Sequence, residues 1–185
     1  MKKIEIALAR ANRLLNHGCV ILVTSGYKQH KNIITLAWQM PVSHRPMLIA
    51  IAVHKHHFSH ELITKSKEFG INVPHRNLIR EVHICGTISG REVDKFQYAN
   101  LTPQPAKYIK APLIKECIAH LECKVKKIYP GGDHSIFVGR VLRALATREI
   151  FNGKFLMLDK TKYQTLHHLG EDRYMVSGEI IRAVI

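Results

Sequence analysis

The spacing of apolar residues changes from helical to strand-like near the start of the chain. Residues 4–16 carry apolar side chains at helical spacing, and Gly18 follows where a helix C-cap would fall. Three short apolar runs come next, separated by turn-prone segments at 26–32 and 40–46. The pattern therefore predicts one amphipathic helix followed by three successive strands, at residues 19–25, 33–39 and 47–53.

In the rest of the chain the apolar pattern predicts mainly strands, with two short helices. Ser59 is the predicted N-cap of a short helix over 60–66, a strand is expected at 69–73, and a second helix at 78–88. A proline-rich loop covers 101–112, and alternating segments at 118–129 and 134–145 flank Pro130-Gly131-Gly132-Asp133, which indicates a long antiparallel hairpin. A final strand is expected within 173–185. The elements predict a single domain over residues 1–185, mainly β with peripheral helices, and a β-barrel in preference to an α/β layer fold.

Charge adds a functional constraint to this picture. The chain has 28 Lys plus Arg against 14 Asp plus Glu, a formal charge of +14. Such a balance favours an anionic partner, which could be nucleic acid, a membrane surface or a phosphorylated small molecule, although it could also serve solubility alone. The longest apolar runs are far shorter than the roughly 20 residues of a membrane helix, so no membrane span is expected.

The sequence lacks the motifs of several common kinds of binding and catalytic site. Neither a Rossmann G-x-G-x-x-G fingerprint nor a P-loop occurs, and no nucleophile elbow supports hydrolysis. The four cysteines show no metal-binding spacing and no export signal precedes them, so a reducing, cytoplasmic location is expected. The histidine-rich run 54–60 invites a metal interpretation, but no carboxylate or cysteine joins it at a usual spacing, and no metal is assigned.

Four places on the chain could contact a ligand, and two of them, Ser59 and the segment 89–96, could contact a phosphate. The segment 31–38 combines Asn32 and Thr35 with Trp38, the only tryptophan. Ser59 at a helix start offers a hydroxyl and free amides at the positive end of the helix dipole. Residues 89–96 offer a glycine turn followed by two cations, Arg91 and Lys95, and His134 projects from the hairpin turn.

Eight segments, taken in chain order, resemble the flavin-reductase-like family with an FMN-binding split barrel. They are residues 32–38, 41–53, 58–66, 69–74, 85–86, 89–96, 111–123 and 132–141. Within that family the flavoredoxins and the archaeal ferric reductases are nearest in pattern. The resemblance implies a split β-barrel fold, one FMN per subunit and a homodimer.

The resemblance also implies a set of cofactor-binding residues. Asn32, Thr35 and Trp38 should line the flavin, Ser59 and Lys95 should hold its phosphate, and His134 should approach the ring system. The full set is Asn32, Thr35, Leu36, Ala37, Trp38, Ala52, Ser59, His60, Lys95, His134 and His167. Relatives are expected to have an aromatic residue near the last of these positions, where this chain has His167-His168.

The leading functional hypothesis is an FMN-binding oxidoreductase. Electrons would pass from NADH or NADPH, or from a redox protein, through FMN to ferric iron, flavin or a partner protein. The alternative is an FMN-containing electron carrier without its own NAD(P)H turnover. A basic nucleic-acid-binding barrel is a remote alternative, since the predicted strand within 121–129 is basic but has few aromatic residues.

Overall fold

The computed structural model describes residues 18–153, 156, 161–179, 181 and 183. The predicted helix at 4–16 lies outside the described residues. The elements in chain order are β1 (Ile21–Tyr27), β2 (His30–Leu36), β3 (Gln39–His44), β4 (Met47–His54), α1 (Phe58–Ser66), β5 (Glu68–Val73), α2 (Ile79–Thr87), α3 (Lys95–Tyr98), β6 (Pro103–Gln104), β7 (Leu113–Ile114), β8 (Ala119–Gly131), β9 (His134–Ala146), β10 (Leu166–Gly170) and β11 (Arg173–Val176). Short 3-10 turns lie at Arg76–Leu78, Arg148–Ile150 and Thr161–Tyr163.

A seven-stranded sheet in the order β2-β1-β5-β8-β9-β4-β3 is the main element of the fold. Its paired strands are antiparallel. One apolar cluster joins residues of β1, β2, β4, β5 and β9, and includes the fully buried rings of Phe69 and Phe137. A second cluster packs α2 and α3 against the other face of β1 and β2. The prediction of a mainly β split barrel with peripheral helices is confirmed.

The long hairpin expected around the Pro-Gly-Gly-Asp turn is also present. It is formed by β8 and β9, and Gly132 adopts a φ of 68°, which suits glycine in a tight turn. Register shifts at Glu122/Cys123 and Val125/Lys127 bend the hairpin. Its far end therefore places Asp133 and His134 beside the end of β4, where His54 pairs with His134.

Two sequence predictions are wrong. Residues 40–46, expected as a turn, mostly form strand β3, which pairs with β4 and is bulged between Pro41 and Ser43. Proline lacks an N–H, and it is tolerated here because β3 ends the strand order of the sheet. Ser59 is not an N-cap, because α1 starts at Phe58 and its N-cap residue is His57.

Some short elements were not predicted from the sequence. The four-residue helix α3 and the strand β10 were not predicted, whereas β11 confirms the last expected strand. The proline-rich loop is irregular apart from β6, a two-residue strand that pairs with β7. Among the described residues, no helix is both long and apolar enough to cross a membrane. All four cysteines are free thiols.

Candidate functional site

Asn32 lies at the centre of a small buried polar group. The strand β2 carries its side chain inward, where Nδ2 donates to Ser59 Oγ at 2.9 Å, and Ser25 Oγ lies 3.4 Å from the same Ser59 oxygen. Asn32 Oδ1 is buried and has no hydrogen-bond partner among the described residues. A buried polar atom without a partner costs about 1–3 kcal/mol.

Gly90 packs directly against this amide. A Cβ at position 90 would overlap Asn32 Oδ1 and would lie 2.5 Å from Asn32 Cγ. The close approach requires glycine, because any larger residue would displace Asn32 from Ser59. Gly90 therefore joins the segment 89–94 to the floor of the site.

A cleft opens beside Gly90 and is bordered by charged side chains of both signs. It has a volume of about 310 Å³, and its lining includes the cations Lys31 and Arg91, the carboxylates Glu92 and Asp94, and the rings of His30 and Phe58. Lys31 Nζ lies 3.5 Å from Asp94 Oδ2, and the guanidinium of Arg91 lies 4.8 Å from the centroid of the Phe58 ring. An anionic group in this cleft would meet two cations and an aromatic wall.

Lys95 lies behind the same strand. Its side chain is buried, and Nζ donates to the backbone carbonyls of Ile33 at 2.9 Å and Cys85 at 2.7 Å. Burial lowers the pKa of Lys95 to about 8. The ammonium thus ties β2 to the end of α2, and two of its three N–H donors are used in doing so.

Trp38 and a group of histidines form the other end of the site. The Trp38 ring is 42% exposed, and its centroid lies 4.8 Å from that of His134. His134 Nδ1 is 2.6 Å from Asp133 Oδ1, and His54 stands edge-on to His134 at 5.0 Å. The hydrogen bond with His134 lowers the pKa of Asp133, so the carboxylate accepts the Nδ1 proton.

His57 connects the two ends of the site electrostatically. Burial lowers its pKa most, and the charges of His54, Lys95 and His134 lower it further. The ring is also 5.4 Å from His54, centroid to centroid. The neutral imidazole is therefore favoured at the start of α1.

The remaining predicted site residues fall into different surroundings. Ala52 N donates to Trp38 O at 3.0 Å, so Ala52 adjoins the exposed ring. Thr35 Oγ1 donates to Val82 O of α2 at 2.6 Å, and Leu36 belongs to the barrel core. His60 Nε2 is 2.9 Å from Ser135 Oγ, and burial lowers its pKa.

Ala37 and His167 complete the predicted set. Ala37 packs against the core cluster on the α2 side of the sheet. His167 lies in β10, bridged to Cys19 ahead of β1, with its Nε2 3.2 Å from Thr165 Oγ1. The structure thus groups Asn32 with Ser59 and Trp38 with Ala52 and His134, and it places Lys95 behind β2.

The predicted cofactor-binding set did not include Lys31, His54, Gly90, Arg91 or Asp133, although the glycine turn with Arg91 was a candidate phosphate contact. Lys31 precedes Asn32 in the sequence, Gly90 contacts Asn32 in the fold, and Arg91 belongs to the glycine turn that precedes Lys95. For Lys31 and Arg91, closeness in sequence to a predicted residue was the signal that could have identified them. His54 and Asp133 meet only because β4 pairs with β9. Within the described part of the chain, no group of three or more His, Cys, Asp or Glu could hold a metal ion.

Comparison with known proteins identifies the class to which this fold and site belong. The profile of the family described as "Flavin reductase like domain" matches residues 13–167. The uncharacterized protein YddH of Escherichia coli is 34% identical over 184 residues, which cover 97% of each chain. An NADH-dependent FAD reductase of Streptomyces globisporus is 30% identical over 126 residues, 68% of each chain.

Solved structures give the same class. A flavoredoxin from Methanosarcina acetivorans superimposes with a TM-score of 0.87 at 25% identity, covering 100% of this chain and 96% of that one. An FMN-binding domain of a flavin reductases-like enzyme from Shewanella baltica gives a TM-score of 0.82 at 25% identity, over 97% and 96% of the two chains. The chain belongs to the flavin reductase-like family.

The residues of the site fit a bound flavin mononucleotide. The unpaired amide atom of Asn32 can bond a polar group of the ligand, and Lys31 and Arg91 supply charge for a phosphate ester. The exposed ring of Trp38 offers the aromatic wall that a flat, largely apolar ring system requires. Burial of Asn32 Oδ1 without a hydrogen-bond partner among the described residues is the feature that an isolated structural role does not explain.

Proposed function

We propose that this protein binds FMN between Asn32 and Trp38 and passes electrons from a reduced nicotinamide or a redox protein to an acceptor. The acceptor is ferric iron, free flavin or a partner protein. The buried, unpaired Oδ1 of Asn32 is the observation that carries the proposal. Bound FMN would supply the redox chemistry, since flavins accept a hydride and release electrons singly or in pairs.

At the phosphate end, Lys31 and Arg91 contact the FMN phosphate directly. Both line the cleft, whereas Ser59 is fully buried and its hydroxyl already accepts from Asn32. Lys95 contributes through its charge, because its Nζ is held by two carbonyls behind β2. A phosphate would compete with Asp94 for Lys31 and with Glu61 for Arg91, which are 3.5 Å and 2.9 Å away.

At the ring end, Trp38 and His134 have distinct roles. The Trp38 ring is the wall against which the flavin lies, and the backbone beside Ala52 provides polar contacts. Because Asp133 holds the Nδ1 side of the His134 ring, Nε2 is the ring nitrogen left for a contact with the flavin.

The sole tryptophan makes the binding test direct. Flavin-free protein titrated with FMN should show quenching of Trp38 emission together with a change in FMN fluorescence, and saturation is expected at micromolar FMN. The Gly90→Ala variant, in which the new methyl displaces Asn32, should bind FMN at least about tenfold more weakly.

Gly178→Ala is the matched control, because a Cβ at that position meets no atom within 4 Å. Melting curves of the flavin-free variants verify that both are folded. If wild-type protein neither quenches nor retains flavin at high FMN, the proposal is overturned.

Electron carriage without nicotinamide turnover is the second candidate. It is favoured by the absence of a Rossmann fingerprint in the sequence, which leaves no dedicated nicotinamide domain. Steady-state oxidation of NADH and NADPH by FMN-loaded protein separates the two candidates. Multiple turnovers with an excess of acceptor support the reductase, and reduction only by a redox protein supports the carrier.

A further inference from the structure

The outer side of the β8–β9 hairpin carries three exposed cations, Lys124, Lys127 and Arg140. Lys124 is directly opposite Arg140 in the strand register, and Lys127 is opposite Val138, two residues before Arg140. Opposite residues, and residues two apart on one strand, share a face of a sheet, and the intervening Phe137 belongs to the core. A register shift just before Lys127 adds a residue to β8, which keeps both lysines on the outer face.

None of these three cations forms an ion pair with a described residue. The carboxylate that the register places beside Lys124 is Glu68 of β5, and it accepts a hydrogen bond from Lys110 N. Like charges directly opposite each other on adjacent strands destabilise a sheet, so the pair formed by Lys124 and Arg140 is unfavourable in the free protein. A negatively charged partner would remove that repulsion.

An apolar strip connects the cations to the ring end of the proposed flavin site. Val138 and Ile136 are half-buried on the same face, and Tyr129, opposite Ile136, is 45% exposed. His134 is the next residue of this face, about 14 Å along the strand from Val138, and its ring adjoins that of Trp38. An apolar centre with an exposed tyrosine and a charged rim is the composition of a protein-binding surface.

We propose that this basic face, made of Lys124, Lys127, Tyr129, Ile136, Val138 and Arg140, docks an acidic one-electron redox protein that delivers electrons to the flavin. The inference rests on the proposed function, because it needs FMN beside Trp38. The formal charge of +14 and the unpaired cations favour an anionic partner. Two carriers that dock in turn, each oxidised by one electron, supply the two electrons that full reduction of FMN consumes, and solvent supplies two protons.

A protein fits this face better than nucleic acid does. Among the residues that make up the face, Tyr129 alone is aromatic, whereas a surface for single-stranded nucleic acid stacks successive bases on several rings. The strip also ends at His134 and Trp38, so a docked protein would bring its redox centre to the ring end of the flavin site.

The test measures how fast reduced ferredoxin, a small acidic iron–sulfur protein, reduces the FMN-loaded protein. Stopped-flow absorbance of the flavin gives the second-order rate constant at several salt concentrations. For wild type this constant should fall steeply as the ionic strength rises, because salt screens the attraction between opposite charges. The Lys124→Glu/Lys127→Glu/Arg140→Glu variant should react at least about tenfold more slowly than wild type at low salt.

The matched control is Arg80→Glu/Lys115→Glu/Arg173→Glu, which makes the same change in charge at exposed residues outside β4, β8 and β9. Its rate constant should stay within about twofold of wild type. Dithionite, a small reductant that needs no docking face, should reduce the three proteins at similar rates. Equal slowing by ferredoxin in both variants, or slowing in neither, overturns the proposal.

Other outcomes would assign the face to a different occupant and so overturn the proposal. A change of mass in light scattering that is confined to the hairpin variant would show that a second copy of the chain covers the face. Binding of single-stranded DNA that only the hairpin variant loses would show a nucleic-acid surface. A wild-type rate that does not depend on salt overturns the proposal without any variant, and so does wild type that dithionite reduces but ferredoxin does not. Failure of wild type to load FMN would instead overturn the proposed function.

Discussion

At the scale of single residues, Lys95 shows how the fold changes the properties of a side chain. It is 4% exposed, and its ammonium group bonds two main-chain carbonyls that belong to β2 and α2. The sequence suggested a phosphate contact, and that role stays a prediction. The geometry adds a structural role, because loss of the ammonium would leave the carbonyls of Ile33 and Cys85 without this donor.

Lys95 gives a pH-dependent prediction. Burial lowers its pKa from 10.5 to about 8, so between these values the unfolded chain holds a proton that the folded protein lacks. Stability from this group therefore rises with pH over that window, by about 1–3 kcal/mol. Denaturant unfolding of wild type and Lys95→Met from pH 7 to 10.5 should show wild type gaining stability relative to the variant.

The control for this measurement is Lys126→Met, at an exposed position of β8. Its difference from wild type should stay constant over the same pH range. Parallel curves for wild type and Lys95→Met would contradict the prediction.

At the scale of elements, carboxylates hold the proline-rich loop 101–112 against the sheet. Glu122 of β8 is 1% exposed and accepts from the backbone N–H groups of Lys107 and Tyr108, at 3.0 Å and 2.6 Å. Glu68 accepts from Lys110 N, and Glu116 accepts from Thr102 N. An irregular loop has few main-chain partners of its own, and these side chains supply the missing acceptors.

Glu122 makes the loop sensitive to acid. Burial raises its pKa, but the hydrogen bonds from Tyr108 and Lys107 and from Arg143 outweigh burial and leave the pKa below the ordinary 4.5. The stabilisation is therefore complete above the unfolded-state pKa and is lost as pH falls through the lower folded-state value. Glu122→Gln should lower the free energy of unfolding by about 1.5–3 kcal/mol at neutral pH. The variant should also lose less stability than wild type as the pH is lowered.

Thermal unfolding measured from pH 7 down to pH 3 tests this expectation, and limited proteolysis reports cleavage within 101–112. Glu149→Gln, at an exposed carboxylate, is the control. A Glu122→Gln curve that tracks wild type at every pH would show that Glu122 does not hold the loop.

At the scale of the whole molecule, the edge strand β3 is the least protected part of the sheet. Met40 is 59% exposed and Val42 46%, next to the exposed ring of Trp38. Exposed apolar edge strands favour pairing with another chain unless they are covered. We propose that a second copy of this chain covers β3, which agrees with the homodimer implied by the family resemblance.

Light scattering after gel filtration tests the dimer. Wild type should have the mass of two chains at micromolar concentration, and Met40→Lys should shift the equilibrium toward the monomer. Met175→Lys is a matched control, since Met175 on β11 is 41% exposed and lies outside the main sheet. A monomeric wild type would contradict the dimer, and a dimeric Met40→Lys would contradict its placement on β3.

Apolar periodicity alone was enough to predict most of the strands. The runs that became β1, β2, β4 and β5 and the β8–β9 hairpin were recognisable because one face of each must be buried. Strand β3 was missed because its Pro41 and polar neighbours resemble a turn, and only pairing with β4 makes them extended. Tertiary context decided this element, as it often does for edge strands.

The sequence by itself determined the class of the protein, the strand pattern and the stretch 32–38 that carries Asn32 and Trp38. The tertiary structure decided which of the predicted residues meet: it buried Ser59 against Asn32, held Lys95 between two carbonyls and brought Asp133 and His134 to Trp38. The physical reason is that local periodicity records which face of a segment is buried. Contacts between Asn32 and Gly90, or Trp38 and His134, depend on strand register and loop path, which distant parts of the chain set together.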